Sequence, residues 1–530
     1  MKLLKFACLS LTFAFFGMAN GQSTQTFFAK KGKLTEEQLK RWSHLDLSKD
    51  SIPGMSVDRV YSELIKNKTG KKIIVGVIDS GVDIDHEDLK SVVWTNPKEI
   101  AGNGKDDDKN GYVDDVHGWN FLGDSGNETL EMTRIVKKGD DGSDVYKAAK
   151  VALDKKLKQY RESQQQVDFI FNADKTTADF LKKDTYTFEE VKAISSTDPA
   201  VNRSKQIMMS IINQAGPNYK ENLKDYKDQV YDMLNYNLNT EYNGRIVVGD
   251  NPDDFKSRGY GNNIVYGPNK KDALHGTHVA GIIAQQRNNG LGGDGVANNV
   301  EIMAVRCVPN GDEYDKDIAL GIRYAVDNGA KVINGSFGKD FSPHKQWVYD
   351  AIKYAESKDV LIVHAAGNDA KDIDVEDSFP NDTDGKKTEF ADNVLTIGAL
   401  NYEYGSAVLA DFSNYGKNNV DIYAPGVEIY ATTPNNTYKF EQGTSMASPN
   451  VAGVAALIRS YYPNLTAKQV KHIIMNSGNA FAGDVAVAGD PKNTKPFTEL
   501  SKSGRMINAY NAFAMAEKMS KKTKSKKVRR

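Results

Sequence analysis

Cysteine is nearly absent from this chain. Its 530 residues contain two cysteines, Cys8 and Cys307, and Cys8 lies in an N-terminal stretch that we expect to be removed. One remaining cysteine cannot form an intramolecular disulfide, so the fold must be stabilised by core packing, with bound metal as a further source. Cys307 lies in the apolar run 300–308 and is interpreted as a strand-end thiol rather than a reactive one.

Long hydrophobic runs are also lacking, except at the N-terminus. Lys2 and Lys5 precede an apolar run at 6–18, and the small-residue stretch 19–21 follows it. This order is typical of a secretory signal peptide cleaved after Gly21. The run of about 13 apolar residues is shorter than the roughly 20 that span a bilayer. The sequence therefore predicts a secreted protein, extracellular, periplasmic or at the cell surface, with no transmembrane segment in its mature form.

The chain has no excess of charge of either sign. Its 69 basic and 70 acidic residues give a formal net charge of −1, so nothing draws the whole molecule to nucleic acid or anionic membranes. Nucleic acid is therefore not expected as a partner. The exception is the basic tail at 521–530, which favours a solvated, disordered end, with a surface-anchoring or nucleic-acid patch as the alternative.

Six short apolar runs predict buried parallel strands. Each is apolar almost continuously rather than in alternation, as a sheet covered on both faces requires. Together with helical patterns, the runs predict an α/β fold with a doubly wound, mostly parallel sheet and helices on both faces. The strands are expected at 73–78, 300–305, 331–334, 360–365, 394–399 and 420–424, and the helices at 317–328, 344–357, 447–461 and 466–475.

A polar, lysine-rich stretch at 126–250 interrupts this alternation. Its apolar residues, from Val145 to Phe171, recur three, four or seven positions apart, which predicts an amphipathic helix. We interpret the stretch as a helical insertion rather than a disordered linker, because the apolar stripe needs cover. The predicted divisions are a signal peptide (1–21), a short pro-segment or N-terminal extension (22–51), a discontinuous catalytic domain (52–125 and 251–518), the insertion (126–250) and the basic tail (519–530).

Three local motifs carry the residues for nucleophilic catalysis. Asp79 ends an apolar strand, His275 opens a helix of small residues, and Ser445 follows a glycine turn before a long apolar helix. A serine hydroxyl needs an adjacent base to become nucleophilic, and histidine can serve because it titrates near neutrality. A carboxylate then orients the imidazole and stabilises its charged form.

These motifs resemble the subtilase family. The matching segments begin at Val75, His275 and Gly443, and their order Asp, His, Ser is that of subtilisin rather than of chymotrypsin or the α/β-hydrolases. The resemblance covers about 52–121 and 260–516. It implies a subtilisin-like fold and a serine endopeptidase that cleaves protein or peptide substrates through an acyl-enzyme. By the resemblance, Asp79 orients His275, His275 is the general base, and Ser445 attacks the scissile carbonyl.

Two further segments are similar to substrate-binding parts of that family. The resemblance implies that Asn368 donates to the developing oxyanion together with the backbone N–H of Ser445. Ser336, Phe337 and Gly338 resemble the segment that lines the substrate cleft and pairs with an extended peptide. His278 follows His275 by three positions, but the H-E-x-x-H spacing of zinc peptidases is absent, so a structural role is expected.

An acidic loop at 106–115 predicts a structural calcium ion. Oxygen ligands stand at alternate positions, with Gly111 at the sixth for a sharp turn. The loop departs from an EF-hand because His117 stands at the twelfth position, and a solvated acidic turn is the alternative. Subtilases commonly bind structural calcium. The predicted ligands are Asp106, Asp108, Asn110, Tyr112 (through its carbonyl), Asp114 and Asp115.

Two features depart from the family pattern. About thirty residues between Gly21 and the start of the resemblance are too few for an independent pro-domain, so the pro-segment is minimal or the insertion does part of its work. The long separation of Asp79 and His275 places the insertion near the cleft, where we expect it to restrict or select substrates. The rival functions are a catalytically silent subtilase fold used for binding or adhesion, and an esterase or lipase, whose G-x-S-x-G elbow and chain order this sequence lacks.

Overall fold

The structure, a computed structural model, describes residues 32–66, 68–216, 218–384 and 388–528. The predicted signal peptide lies outside the described residues. The strands are β1 (Ile73–Asp79), β2 (Gly118–Asn120), β3 (Val300–Arg306), β4 (Val332–Gly335), β5 (Leu361–Ala365), β6 (Thr383–Asp384), β7 (Thr388–Glu389), β8 (Val394–Leu400), β9 (Ile422–Pro425), β10 (Ile429–Thr433), β11 (Thr437–Glu441), β12 (Asn479–Ala480), β13 (Asp484–Val487), β14 (Asp490–Pro496) and β15 (Arg505–Met506).

The α-helices are α1 (Glu36–Arg41), α2 (Val57–Arg59), α3 (Glu131–Lys138), α4 (Asp144–Leu181), α5 (Phe188–Lys192), α6 (Pro199–Ala215), α7 (Tyr219–Asp232), α8 (Leu274–Ala284), α9 (Asp315–Asp327), α10 (Lys345–Ser357), α11 (Thr444–Tyr461), α12 (Ala467–Ser477) and α13 (Ala509–Val528). None of these described helices is both long and apolar enough to cross a membrane.

A nine-stranded sheet forms the centre of the molecule. Its order is β12-β15-β9-β8-β5-β4-β1-β3-β2, and every neighbouring pair is parallel except β12 with β15 at one edge. All six predicted strands lie in this sheet. The predicted α/β fold with a mostly parallel sheet is therefore confirmed.

Both faces of the sheet are covered by helices. In β1, Val75 and Val77 pack into one hydrophobic cluster, whereas Ile74 and Ile78 face the other. Helices α8 and α11 supply residues to the first cluster, and α9 and α10 supply residues to the second. Because each strand buries side chains on both faces, its sequence is mostly apolar rather than alternating.

The stretch at 126–250 is helical, as predicted. Helix α4 is 38 residues long, and α5, α6 and α7 pack beside it around a separate small core that includes Val191, Met208 and Tyr219. Ala149 and Leu153 of the predicted stripe are buried in a second small core with Met132, whereas Val145 is 53% exposed. The division boundaries themselves remain a prediction.

The C-terminal tail differs from its predicted disorder. Helix α13 runs from Ala509 to Val528 and includes most of the basic stretch. Ala512, Phe513 and Ala516 are buried in the main cluster and anchor the helix. Lysine is a good helix former, so an anchored helix can continue into a lysine-rich end.

Candidate active site

The carboxyl ends of three neighbouring parallel strands meet at one edge of the sheet. β1 ends at Asp79, β4 ends one residue before Ser336, and β5 ends three residues before Asn368. In the register, Ile78 is opposite Gly335, and Gly335 is opposite His364. Residues that follow these strands therefore lie close together, as expected for ligand sites in open α/β sheets.

Asp79 and His275 form a hydrogen-bonded pair at this edge. Asp79 Oδ1 lies 2.7 Å from His275 Nδ1, the Asp79 side chain is buried, and the imidazole is 37% exposed. Gly276 allows the approach, because a Cβ there would lie 2.1 Å from the carbonyl oxygen of Gly81. The bond to Nδ1 leaves His275 Nε2 available to accept a proton.

The protonation of His275 reflects two opposing effects. Burial of the imidazole lowers its pKa, but the charge and hydrogen bond of Asp79 oppose this, with a further contribution from Glu441. The net result is a pKa raised above the ordinary value of histidine. The site thus stabilises an imidazolium, which a general base must become during the reaction.

Ser445 lies in the first turn of α11, after Gly443 with a φ of 147°. Its Oγ is 3.4 Å from the carbonyl oxygen of Ser336, and the hydroxyl of Ser336 donates to the Ser445 carbonyl at 2.9 Å. Ser445 is thus tied to the segment that follows β4, the strand beside β1. Helix α11 also packs against α8, which carries His275.

The side chain of Asn368 is oriented by the residue before the nucleophile. Its Oδ1 accepts hydrogen bonds from the backbone N–H of Thr444 at 2.8 Å and from the Thr444 hydroxyl at 2.9 Å. Since the oxygen is engaged, the amide NH2 is the end left to donate to a ligand. The first-turn N–H of Ser445 has no acceptor within its own helix, so two donors stand near the nucleophile.

A cavity of about 250 Å³ lies beside Ser445. Phe337, Gly338 and Asn368 share its wall with Ser445. Of the predicted substrate-binding residues, two therefore line the cavity and the third, Ser336, bonds to the nucleophile. Five charged residues also line it and were not singled out from the sequence: Lys339, Asp340, Asp369, Lys371 and Asp377.

His278 is part of the packing around this site. It is fully buried, its Nε2 lies 3.2 Å from the carbonyl oxygen of Lys439, and burial lowers its pKa to about 4. A neutral, buried imidazole on a backbone carbonyl agrees with the structural role expected for it.

The acidic loop brings together some of the predicted calcium ligands. Carboxylate oxygens of Asp106, Asp108 and Glu99 lie within 4.8 Å of one another, and the buried Oε2 of Glu99 has no hydrogen-bond partner. Three converging carboxylates with an unsatisfied oxygen fit a hard cation such as Ca²⁺. Glu99 was missed from the sequence because it stands outside the alternating pattern.

The other predicted calcium ligands use their side chains elsewhere. Asp114 accepts from the backbone N–H groups of Asn103 and Gly104. Asp115 accepts from Asn96, Asn110 and the hydroxyl of Tyr324, and burial raises its pKa to about 6. The ring of Tyr112 packs against Trp119, and the predicted role of its carbonyl as a ligand stays a prediction.

Comparison with known proteins identifies a family for most of the chain. A sequence profile of the subtilase family matches residues 70–503. The thermophilic serine proteinase of Bacillus sp. (strain AK1) is 44% identical over 191 residues, which are 35% of this chain and 42% of that relative. Subtilisin DY of Bacillus licheniformis is 38% identical over 212 residues, which are 39% of this chain and 72% of that protein.

A solved protease structure is also similar to part of this chain. A protease from Pseudoalteromonas arctica PAMC 21717 has 31% sequence identity and a TM-score of 0.36, over 46% of this chain and 70% of that chain. The matched region spans less than half the length of the Bacillus sp. AK1 proteinase.

Proposed function

Because the chain belongs to the subtilase family of serine proteases, we propose that it is a serine endopeptidase that cleaves protein or peptide substrates through an acyl-enzyme. The observation that carries the proposal is the 2.7 Å contact between Asp79 and His275, at the sheet edge to which Ser336 ties Ser445. These two contacts support a site in which an acid, a base and an alcohol from three distant parts of the sequence act together.

In the proposed reaction, Ser445 Oγ bonds to the scissile carbonyl carbon while its proton passes to His275 Nε2. Asn368 and the Ser445 N–H stabilise the resulting oxyanion. His275 then gives the proton to the leaving amine as the C–N bond breaks, and water repeats the sequence on the acyl-enzyme. Asp79 stays ionised and holds the imidazole in the required tautomer.

The test of this proposal is labelling by a fluorophosphonate together with cleavage of a peptide library. We expect the wild-type protein to be labelled and active, and Ser445→Ala to lose both. The loss in turnover should be about 10⁶-fold, the magnitude known for subtilisin, and Asn368→Ala should cost about 10²–10³-fold, also the subtilisin value. Ser357→Ala, on an exposed helix end, is the control and should behave as wild type.

The competing function is a catalytically silent fold used for binding or adhesion. A correctly folded wild-type protein that neither reacts with fluorophosphonate nor cleaves any library peptide would favour this alternative. The competent residues at Asp79, His275, Ser445 and Asn368 argue against it.

We further propose that the protein is secreted and that Ca²⁺ is a structural cofactor. Export is supported by the sequence pattern at 1–21, and a relative that is 37% identical over 220 residues is named a cell wall-associated protease of Bacillus subtilis (strain 168). The calcium proposal is supported by the three converging carboxylates at Glu99, Asp106 and Asp108. Mass spectrometry of the exported protein tests the first part, with a start at Gln22 expected.

A further inference from the structure

We propose that residues 35–47, which we call the N-terminal strap, remain in the active enzyme and hold the β10–β11 hairpin in place ahead of the nucleophile. The strap falls within the stretch 22–51, which the sequence left open as a pro-segment or an extension. The structure favours a permanent extension, for the reasons that follow.

The strap is anchored by apolar side chains in the main core of the enzyme. Trp42 is 1% exposed and Leu47 is 2% exposed, and both belong to the cluster that contains Val75 and Val77 of the central sheet. The indole N–H of Trp42 donates to the carbonyl oxygens of Val427 and Glu428, at 2.9 and 3.2 Å. These carbonyls immediately precede β10, so the indole is bonded to the base of the hairpin.

The backbone of the strap is joined to the residues that follow it. Met55 N–H donates to the carbonyl of Ser43, and Ser56 N–H donates to the carbonyl of Leu45. Met55 in turn accepts a hydrogen bond from the N–H of Ala509 at the start of α13. The strap is thus connected through backbone hydrogen bonds to the C-terminal helix of the catalytic domain.

A network of alternating charges joins the strap to a second loop. Arg41 binds Asp58 at 2.9 Å and Asp294 at 3.3 Å. Arg287 binds the other oxygen of Asp58 at 3.1 Å and lies 3.7 Å from Asp294. Arg287 and Asp294 are buried to about nine tenths, so loss of Arg41 would leave a buried carboxylate short of positive charge, which is costly.

The hairpin that the strap supports leads into the candidate active site. Strand β11 ends at Glu441, which raises the pKa of His275, and Ser445 follows four residues later. The carbonyl of Lys439, in the same strand, contacts His278 beside the catalytic helix turn. Movement of this hairpin would therefore displace groups that act on the helix of His275 and the segment that leads to Ser445.

A removable pro-segment has to leave a surface that is stable in water. Removal of the strap would instead expose the apolar cluster around Trp42 and Leu47, and the carbonyls of Val427 and Glu428 at the base of the hairpin would lose their indole donor. The cavity beside Ser445 is lined by other parts of the chain, so the strap contacts the support of the site and not its opening. Both facts fit a structural element and not an inhibitor.

The first experiment uses the natural protein and rests on the proposed function only for its label. Exported protein is labelled with fluorophosphonate, and the N-terminus of the labelled species is determined by mass spectrometry. We expect every labelled species to begin at or before Thr35. Labelled protein that begins after Leu47 would overturn the inference. Absence of any label would count against the proposed function, and the N-terminus of the stable exported protein would then decide about the strap alone.

The second experiment cuts the strap from the enzyme. A site-specific protease sequence is inserted at the exposed turn between Lys49 and Asp50, and the control carries it between Asp140 and Asp141 in an exposed loop of the insertion. After cutting in buffer, the N-terminal fragment should stay bound in size-exclusion chromatography. In urea at a concentration that leaves the cut control active, the fragment should dissociate and kcat/KM should fall by about 10²-fold, as expected when catalytic groups are displaced by about 1 Å.

Rescue distinguishes loss of the strap from general damage. Adding a synthetic peptide of residues 32–49 after removal of urea should restore activity to the stripped enzyme, and a peptide with Trp42→Ala should not. If the fragment separates in buffer and the remaining enzyme keeps the kcat/KM of the cut control, the inference that the strap supports the active site would be refuted.

Discussion

At the scale of single residues, Glu441 is the least expected contributor to the candidate site. It carries a charge near His275 but does not belong to any of the three motifs. The groups that act on His275 are Asp79 from β1 and Glu441 from β11, and Glu441 itself interacts with Lys439 and Glu428. Because both carboxylates favour the imidazolium, removal of either charge should lower the pKa of His275.

This yields a prediction about the pH dependence of catalysis. His275 acts as a base when neutral, so kcat/KM should fall as the pH drops through its pKa, which is raised above the ordinary value of about 6.5. Glu441→Gln removes one stabilising charge and should move this acidic limb to lower pH by a few tenths of a pH unit. The measurement is kcat/KM against pH for a neutral peptide. Glu189→Gln, on the exposed surface of the insertion, should leave the limb unchanged.

The effect of salt on the two pH profiles provides a control for the role of Glu441. Charge effects across a partly exposed site weaken as ionic strength rises, so the difference between wild type and Glu441→Gln should shrink in high salt. An identical limb for both proteins at low salt would show that Glu441 does not act on His275.

The charges around the cavity predict a preference between substrates. Lys371 is balanced by Asp340 at 2.9 Å and Asp369 at 3.7 Å, while the ammonium of Lys339 is held by Glu131 and Asp315. Each lysine thus meets two carboxylates, so the net charge around the cavity is negative. We therefore expect peptide nitroanilides with lysine before the scissile bond to be cleaved faster than those with glutamate. Asp369 is exposed, so Asp369→Asn should reduce the ratio only about fivefold, equivalent to about 1 kcal/mol. Equal rates for the two substrates in low salt would contradict this.

Site residues could be predicted from the sequence where each lies in a recognisable local motif. Asp79, His275 and Ser445 each stand in a segment whose neighbours fix a strand end or a helix start. Glu99, Glu441 and Thr444 could not be found in this way, because each acts through a contact made by the fold. Asp114 and Asp115 were predicted as metal ligands from their spacing alone, and spacing does not show which hydrogen-bond donors a carboxylate meets.

At the scale of elements, the acidic loop predicts dependence of stability on calcium. A cation that binds only the folded loop stabilises the protein by mass action, by about 2.7 kcal/mol at a hundredfold excess over Kd. We expect EDTA to lower Tm by several degrees and added Ca²⁺ to restore it. Asp106→Asn and Asp108→Asn should abolish this response, as measured by differential scanning calorimetry.

A neighbouring aspartate supplies the control for the calcium loop. Asp114 binds backbone N–H groups and has a φ of 54°, a conformation that asparagine tolerates. Asp114→Asn should therefore keep the calcium response even where it lowers Tm. A Tm that is insensitive to EDTA in wild-type protein would refute the calcium site.

Elements were predictable where burial imposes a pattern. The six predicted strands are apolar on both faces and were located to within two residues. β2 and β12 are three and two residues long and carry too few side chains to show a period. Helices α5 and α12 begin at capping boxes formed by Thr187 and Thr466, which a Thr followed three residues later by Glu or Gln indicates. Disorder of the basic tail was wrongly predicted, because charge density alone does not account for the buried anchor of α13.

At the scale of the whole molecule, the insertion and the core share buried ion pairs. Arg245 binds Asp317 at 2.7 Å and Asp250 at 2.5 Å, and Asp250 also binds Lys316 at 2.8 Å. Arg245 and Asp250 lie in the predicted insertion, whereas Lys316 and Asp317 lie in α9 of the core. Breaking a buried pair from one side costs about 3–5 kcal/mol, so deletion of 126–250 should prevent folding and is a poor test of its role in substrate selection.

The shared charges predict that the insertion and the core unfold together. The four tryptophans, Trp42, Trp94, Trp119 and Trp347, all lie outside 126–250, so tryptophan fluorescence reports the core. Far-UV circular dichroism reports both parts, because roughly half of the described α-helical residues lie in the insertion, where α4 alone has 38 residues. In wild-type protein we expect the two signals to share one urea midpoint, the mark of a cooperative transition.

Loss of one shared charge should separate the two signals. Arg245→Met leaves Asp317 and Asp250 without their guanidinium, so the helical signal should fall at lower urea than the fluorescence. Lys175→Met removes an exposed pair with Asp179 on α4 and should keep a single midpoint, because exposed pairs contribute little. Separate midpoints already in the wild type would mean that the insertion folds independently, and the ion pairs at α9 would then only orient it on the enzyme.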